Sequence, residues 1–164
     1  MGFHQDLDKI IVGVADMKIG QSPEVIETTL GSCVAVCLYA AARQVGGMVH
    51  IMMPHADENS SKAQGKKAKY ANTAVPELVR QLTSRYGIDS HHFVAKIFGG
   101  GKILKDCTLN IGELNEKAVR EQLKNFGIRI MASKTGGEKG CRVTFFLETG
   151  IVLCQKFGEA VEEL

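Results

Sequence analysis

Apolar residues along this chain fall mostly into short blocks, and helical spacing is sustained in only two places. Val25 to Leu30, Cys33 to Tyr39, Val45 to Met53, Phe93 to Phe98, Ile128 to Ala132, Cys141 to Glu148 and Ile151 to Lys156 read as strands bounded by turn residues. Lys9 to Ile19 reads as a strand pair or one long bent strand, with Gly13 as its irregularity. Ala40-Ala41-Ala42-Arg43-Gln44 looks like the connection of a hairpin, and Thr149-Gly150 is a second hairpin signal. Val75, Leu78, Val79, Leu82 and Tyr86 repeat at the helical period and predict a helix over 74–85, capped by Thr73, with Pro76 in its first turn and Gly87 as its stop. Leu114, Ala118, Val119, Leu123 and Phe126 predict another over 113–126, ended by Gly127. The acidic tail from Glu159 to Leu164 is expected to fray. The pattern predicts one strand-rich α+β domain over residues 1–164, an α/β layered sandwich with two main helices, a core at about 9–157 and a tail at 158–164.

The 164 residues, 45% of them hydrophobic, suffice for one well-buried domain. Eighteen glycines against three prolines fit many tight turns. A net charge of +2, with the basic residues spread along the chain, excludes a nucleic-acid footprint. The local cluster of Lys62, Lys66, Lys67 and Lys69 lies in a polar stretch, 55–69, that reads as a flexible, solvated loop, with a dock for an acidic partner as the sharper alternative. Five cysteines without paired spacing imply free thiols and a reducing compartment, the cytoplasm. The longest apolar run, 33–42, is far short of the roughly 20 residues needed to span a bilayer, and neither a signal peptide nor a myristoylation signal is expected at the N-terminus.

Free cysteine is among the most buried residue types, so Cys33 alone reads as packing. Its setting changes that reading. Centring the hairpin between Ala41 and Ala42 places Cys33 directly opposite His50, within reach of a thiol–imidazole contact, whereas a one-residue slip would send them to opposite faces. Gly31 and Ser32 leave the backbone open to a substrate and free N–H groups for an oxyanion; Gly46-Gly47 leave space above the His50 strand. Cys33 and His50 are therefore candidates for a nucleophile and its acid/base partner. Elsewhere the signals are structural. Gly99-Gly100-Gly101-Lys102 lacks phosphate-loop spacing and has Ile103 where Ser or Thr is required, so a close backbone approach is expected there. His91-His92 has no further ligand at zinc spacing, and Cys37, Cys107, Cys141 and Cys154 read as packing residues, so no metal and no cofactor is expected.

Five segments together resemble the chemoreceptor glutamine deamidases, the CheD family. They are Leu30-Gly31-Ser32-Cys33-Val34-Ala35-Val36, Gly47-Met48-Val49-His50-Ile51-Met52-Met53-Pro54, Lys69-Tyr70-Ala71-Asn72-Thr73-Ala74-Val75, Ala95-Lys96-Ile97-Phe98-Gly99-Gly100 and Asn110-Ile111-Gly112, within a similarity running from Ile10 to Gln155. The resemblance implies a cytoplasmic chemotaxis enzyme that hydrolyses glutamine side chains on receptor methylation helices to glutamate and ammonia. It implies a fold similar to the deamidating-toxin cysteine hydrolases, Cys33 as nucleophile and His50 as base. Family members often carry a threonine six residues before the nucleophile, where this chain has Glu27. Strand alternation would put Thr29 on the Cys33 face; the resemblance favours Thr28, with a bend at Gly31, as the residue that orients His50. Implied partners are methyl-accepting chemoreceptors and a CheC-type phosphatase, with no nucleic acid, no membrane insertion and a monomeric state. The rival functions are a non-catalytic regulatory protein docking receptors and a CheC-type phosphatase, and a thiol hydrolase of small amides or esters.

Overall fold

The computed structural model describes residues 8–57, 61 and 65–164; Lys62, part of the basic cluster, lies outside them. Among the described residues, ten strands form two five-stranded sheets, and two α-helices cover one of them, an α+β architecture. The strands are β1 (Lys9–Ile11), β2 (Met17–Gln21), β3 (Val25–Leu30), β4 (Val34–Ala40), β5 (Val45–Ile51), β6 (Val94–Gly99), β7 (Arg129–Thr135), β8 (Cys141–Phe146), β9 (Val152–Lys156) and β10 (Val161–Glu163). The helices are α1 (Ala71–Tyr86) and α2 (Ile111–Asn125). The outer sheet runs β1-β3-β8-β9-β10 and the central sheet β2-β5-β4-β6-β7.

Every residue of β4 and β5 is buried, because the central sheet is covered on both faces. Val34, Val36 and Leu38 face the helices and pack with Val75, Leu78, Leu82, Val119 and Leu123. Ala35, Cys37 and Tyr39 face the outer sheet and pack with Ile26, Leu30, Val143 and Phe145. A strand buried on both faces has no polar face to alternate with, which accounts for the unbroken apolar run at 33–42. The parallel pair β6 and β7 is joined through α2, since parallel neighbours need a long crossover.

Several boundaries differ from the sequence expectation for physical reasons. Residues 9–19 are neither a strand pair nor one bent strand: β1 pairs in parallel with β3 of the outer sheet, and β2 pairs with β5 of the central sheet. Helix α1 starts three residues early and holds Pro76 in its interior, while the Thr73 hydroxyl turns back to the Lys67 and Tyr70 carbonyls instead of capping. The last turn ends at Gly87 in the left-handed region, as its position predicts. In α2 the Asn110 side chain accepts from the Glu113 N–H, and the buried face carries Asn115 where the sequence suggested Leu114, which is 39% exposed. The tail does not fray. β10 adds to the edge of β9, and Leu164 exchanges backbone hydrogen bonds with Val152. The room expected above Gly46-Gly47 is filled by Leu147 and Phe145 beside the first glycine and by Ile19 and Leu78 beside the second.

Candidate active site

The site lies where the chain crosses from the outer sheet to the central one. β3 ends at Leu30, Gly31 to Cys33 make a bend, and β4 starts at Val34. The hairpin register pairs Ala35 with His50 and Val34 with Ile51. Cys33 is therefore not directly opposite His50; the register differs by two residues from the one expected. A two-residue offset preserves the face, so Cys33 stands diagonally from His50 at the mouth of the inter-sheet layer. The hairpin is centred one position later than its sequence suggests, since β4 runs to Ala40 and β5 resumes at Val45.

Three carbonyls of the bend are tied down. Gly31 O accepts from Gly101 N–H at 3.1 Å, Cys33 O accepts from Gly100 N–H at 2.9 Å, and Ser32 O accepts from Asn115 Nδ2 at 3.2 Å. The glycine turn after β6 serves this approach. A Cβ on Gly99 would sit 2.3 Å from Cys33 O, and Gly99 itself has φ of 98°. Gly112 admits the first turn of α2, where a Cβ would sit 2.3 Å from Gly100 O. The glycines and the Asn110-Ile111-Gly112 segment thus form one packed unit behind the thiol.

His50 is 2% exposed and Thr28 is 2% exposed, and Thr28 Oγ1 lies 2.8 Å from His50 Nδ1. The same hydroxyl donates to the Val12 carbonyl at 2.7 Å. A hydroxyl has one proton, and a carbonyl can only accept. With that proton on Val12 O, the Thr28 oxygen accepts from Nδ1–H, so neutral His50 carries its proton on Nδ1 and leaves Nε2 as the basic nitrogen. The backbone of His50 is fixed as well, through Ala15 N–H to its carbonyl and its N–H to Asp16 O, both at 3.0 Å.

Thr29 is exposed and paired with Arg142 on the far side of β3, and Glu27 bonds Lys9 and Thr144. Simple alternation misplaced Thr29 because β3 and β4 belong to different sheets, so their parity is not continuous through the bend. Burial raises the Cys33 thiol above its ordinary value and lowers the His50 imidazole below its own. Both changes favour a neutral resting pair over a thiolate–imidazolium pair.

Two contributors escaped the sequence reading. The Val12 carbonyl has no side-chain signal. Asn115 had one: it is a polar residue on the apolar stripe of α2, three and four positions from Ala118 and Val119. Other candidates lie elsewhere. His91 and His92 sit in an exposed turn, and His92 lines a surface cleft at the Ala40 end of β4. No group of three potential metal ligands occurs among the described residues. No helix among the described residues is long and apolar enough to cross a membrane.

The family model for CheD chemotactic sensory transduction matches residues 52–156. The probable chemoreceptor glutamine deamidase CheD of Methanococcus vannielii is 42% identical over 150 residues, 90% of this chain and 95% of that one. The chemoreceptor glutamine deamidase CheD of Thermotoga maritima is 39% identical over 151 residues, 92% of this chain and 93% of that one. The probable chemoreceptor glutamine deamidase CheD of Clostridium botulinum is 35% identical over 164 residues, 97% of this chain and 99% of that one. Among solved structures, a Bacillus licheniformis hypothetical protein, YfiH, is similar with a TM-score of 0.46 at 12% identity, covering 75% of this chain and 50% of that one. Relatives at this identity reach through the β3–β4 bend and the His50 strand as well as the matched segment, and the chain belongs to the CheD family.

Proposed function

We propose that this protein hydrolyses glutamine side chains on chemoreceptors to glutamate and ammonia, with Cys33 as nucleophile, His50 as general base and acid, and Thr28 as the residue that orients His50. The carrying observation is the Val12–Thr28–His50 hydrogen-bond relay, which leaves Nε2 unprotonated at the face shared with Cys33.

From the neutral pair, His50 Nε2 takes the thiol proton as sulfur attacks the amide carbon. The tetrahedral intermediate would expel sulfur before an amide anion, so imidazolium must hand that proton to the nitrogen. Ammonia leaves and a thioester remains on Cys33. His50 then accepts a proton from water, hydroxide adds to the thioester, and the proton returns to sulfur as glutamate departs. Backbone N–H groups at Ser32 and Cys33 are the oxyanion donors of this scheme. Each turnover adds one negative charge to a receptor helix and raises like-charge repulsion at i,i+4 spacing by about 0.2–0.5 kcal/mol per pair.

A protein substrate is favoured over a small amide by the loop between β6 and α2. It exposes Leu104 (73%) and Leu109 (59%) around a cleft of about 220 Å³ that Ser32, Met53 and Ile111 also line. Such a lip suits apolar side chains flanking the reacting glutamine. The same reading includes a cytoplasmic location, a monomer in solution and a CheC-type phosphatase as a protein partner, checked by light scattering and co-elution.

The test is intact-mass spectrometry of a receptor cytoplasmic fragment incubated with the wild type and with Cys33→Ala. A gain of about one dalton per site with the wild type alone is the expected result. Binding without any mass change across several receptors would sink the enzymatic reading in favour of a docking protein.

A further inference from the structure

Asn115 is fully buried on the inner face of α2, and its amide is forked between the two segments that carry the candidate nucleophile and base. Nδ2 donates to Ser32 O at 3.2 Å and to Met52 O at 3.1 Å. Extending the β4–β5 register past Val34 and Ile51 places Cys33 opposite Met52, so the fork closes the hairpin just beyond its last ladder pair. Reversing the amide would put Oδ1 against two carbonyl oxygens, so the network fixes its orientation. Oδ1 has no hydrogen-bond partner, a buried acceptor left unsatisfied. Retaining such an atom costs stability, and a residue used only to fill space would need neither donor nor acceptor.

The Ser32 carbonyl and the Cys33 N–H belong to one trans peptide and point in opposite directions. Holding the carbonyl toward α2, in the helix layer, turns the Cys33 N–H toward the inter-sheet side, where Cys33 packs and His50 lies. A hydrogen bond to the carbonyl also polarises the peptide and strengthens its N–H as a donor. Resting on the assignment of Cys33 as nucleophile, we propose that Asn115 is a positioning residue that aims the Cys33 N–H at the oxyanion formed during deamidation, acting through the peptide it holds.

Asn115→Leu retains much of the volume and removes both donors; Asn115→Ala is the companion variant. Both are compared with wild type in kcat and KM on a receptor fragment and in the rate of Cys33 alkylation by iodoacetamide, with folding checked by circular dichroism. Alkylation attacks a saturated carbon and develops no oxyanion. The expected result is a fall in kcat on the order of 10²-fold, the effect of a misaimed oxyanion donor, with KM and alkylation each within about threefold of wild type. A kcat within about threefold of wild type would overturn the inference, as would an alkylation rate that falls in step with kcat, since that marks general collapse of the bend. Should Asn115→Ala fail to fold, Asn115→Leu decides. Cys33→Ala is assayed in parallel: if it stays active, the nucleophile assignment itself fails, an outcome distinct from inactivity of Cys33→Ala with normal turnover by the Asn115 variants.

Discussion

Cys33, in the bend just before β4, and Cys37, within β4, lie four residues apart on the same side, yet the inter-sheet layer treats them oppositely. Cys37 sits in its interior, packed with Val143, Phe145 and Cys154, and burial pushes its thiol far above the ordinary range despite the nearby Lys96 ammonium. Cys33 stands at the open end, half-buried, on the face of a histidine whose tautomer is fixed. Cys141 and Cys154 resemble Cys37 in being buried within the layer. On the proposed assignment, reactivity belongs to the place where a strand enters the sheet, where a thiol gains both access and a base.

The sharpest test of this contrast is a pair of alanine variants. Cys33→Ala is expected to lose receptor deamidation on the order of 10⁴-fold while its thermal midpoint stays near wild type. Cys37→Ala is expected to keep kcat and lose about 1 kcal/mol in urea unfolding, from the small cavity left behind. The reverse pattern would overturn the assignment.

Thr28→Val keeps the shape but leaves His50 Nδ1–H and Val12 O without partners in a buried place. Deamidation should drop on the order of 10²-fold in a steady-state assay, and stability by about 1–3 kcal/mol. Thr28→Ser should restore most of both, and Thr29→Val, on the exposed face, should change neither. An equal loss in Thr29→Val would show that the orienting hydroxyl has been misassigned.

The pH profile follows from the neutral pair. As pH falls through the His50 value, depressed by burial below 6.5, the base is protonated and kcat/KM declines. As pH rises through the Cys33 value, raised by burial above 9.0, the proton needed by the leaving nitrogen is lost. Activity should be flat between these limbs. Stability carries the same signature. His50 has a lower value folded than unfolded, so the unfolded chain binds the extra proton, and the stabilisation present above about 6.5 is lost as pH falls. Thermal midpoints between pH 7 and pH 5 should fall less steeply in His50→Gln.

The smallest effect is expected at a surface ion pair. Lys134 and Glu162 pair at 2.8 Å across exposed side chains, and Glu162→Gln should cost at most about 1 kcal/mol in urea unfolding and leave turnover unchanged.

Strand existence was legible because alternation and buried runs write themselves into composition: Val25 to Leu30 matches β3 at both ends. The boundaries of α1 were less so, since backbone interactions before Ala74 extend the helix past a threonine that looks like a cap. The edge strand β10 was hidden because its residues are exposed and acidic, and its order comes from backbone pairing to β9. The Cys33 and His50 pairing was readable through parity alone, which survives an offset of two.

By itself the sequence determined that two segments of apolar character would bring a cysteine and a histidine to one face, because side-chain parity along a strand is a local property. It also determined that glycines would crowd the backbone near that cysteine. Only the tertiary structure placed Thr28, and not Thr29, beside His50, because that placement depends on where β3 leaves one sheet and β4 joins another. Only it recruited the Val12 carbonyl to set the histidine tautomer and Asn115 to grip the Ser32 carbonyl, since contacts from distant parts of a chain are fixed by packing and leave little trace in local pattern.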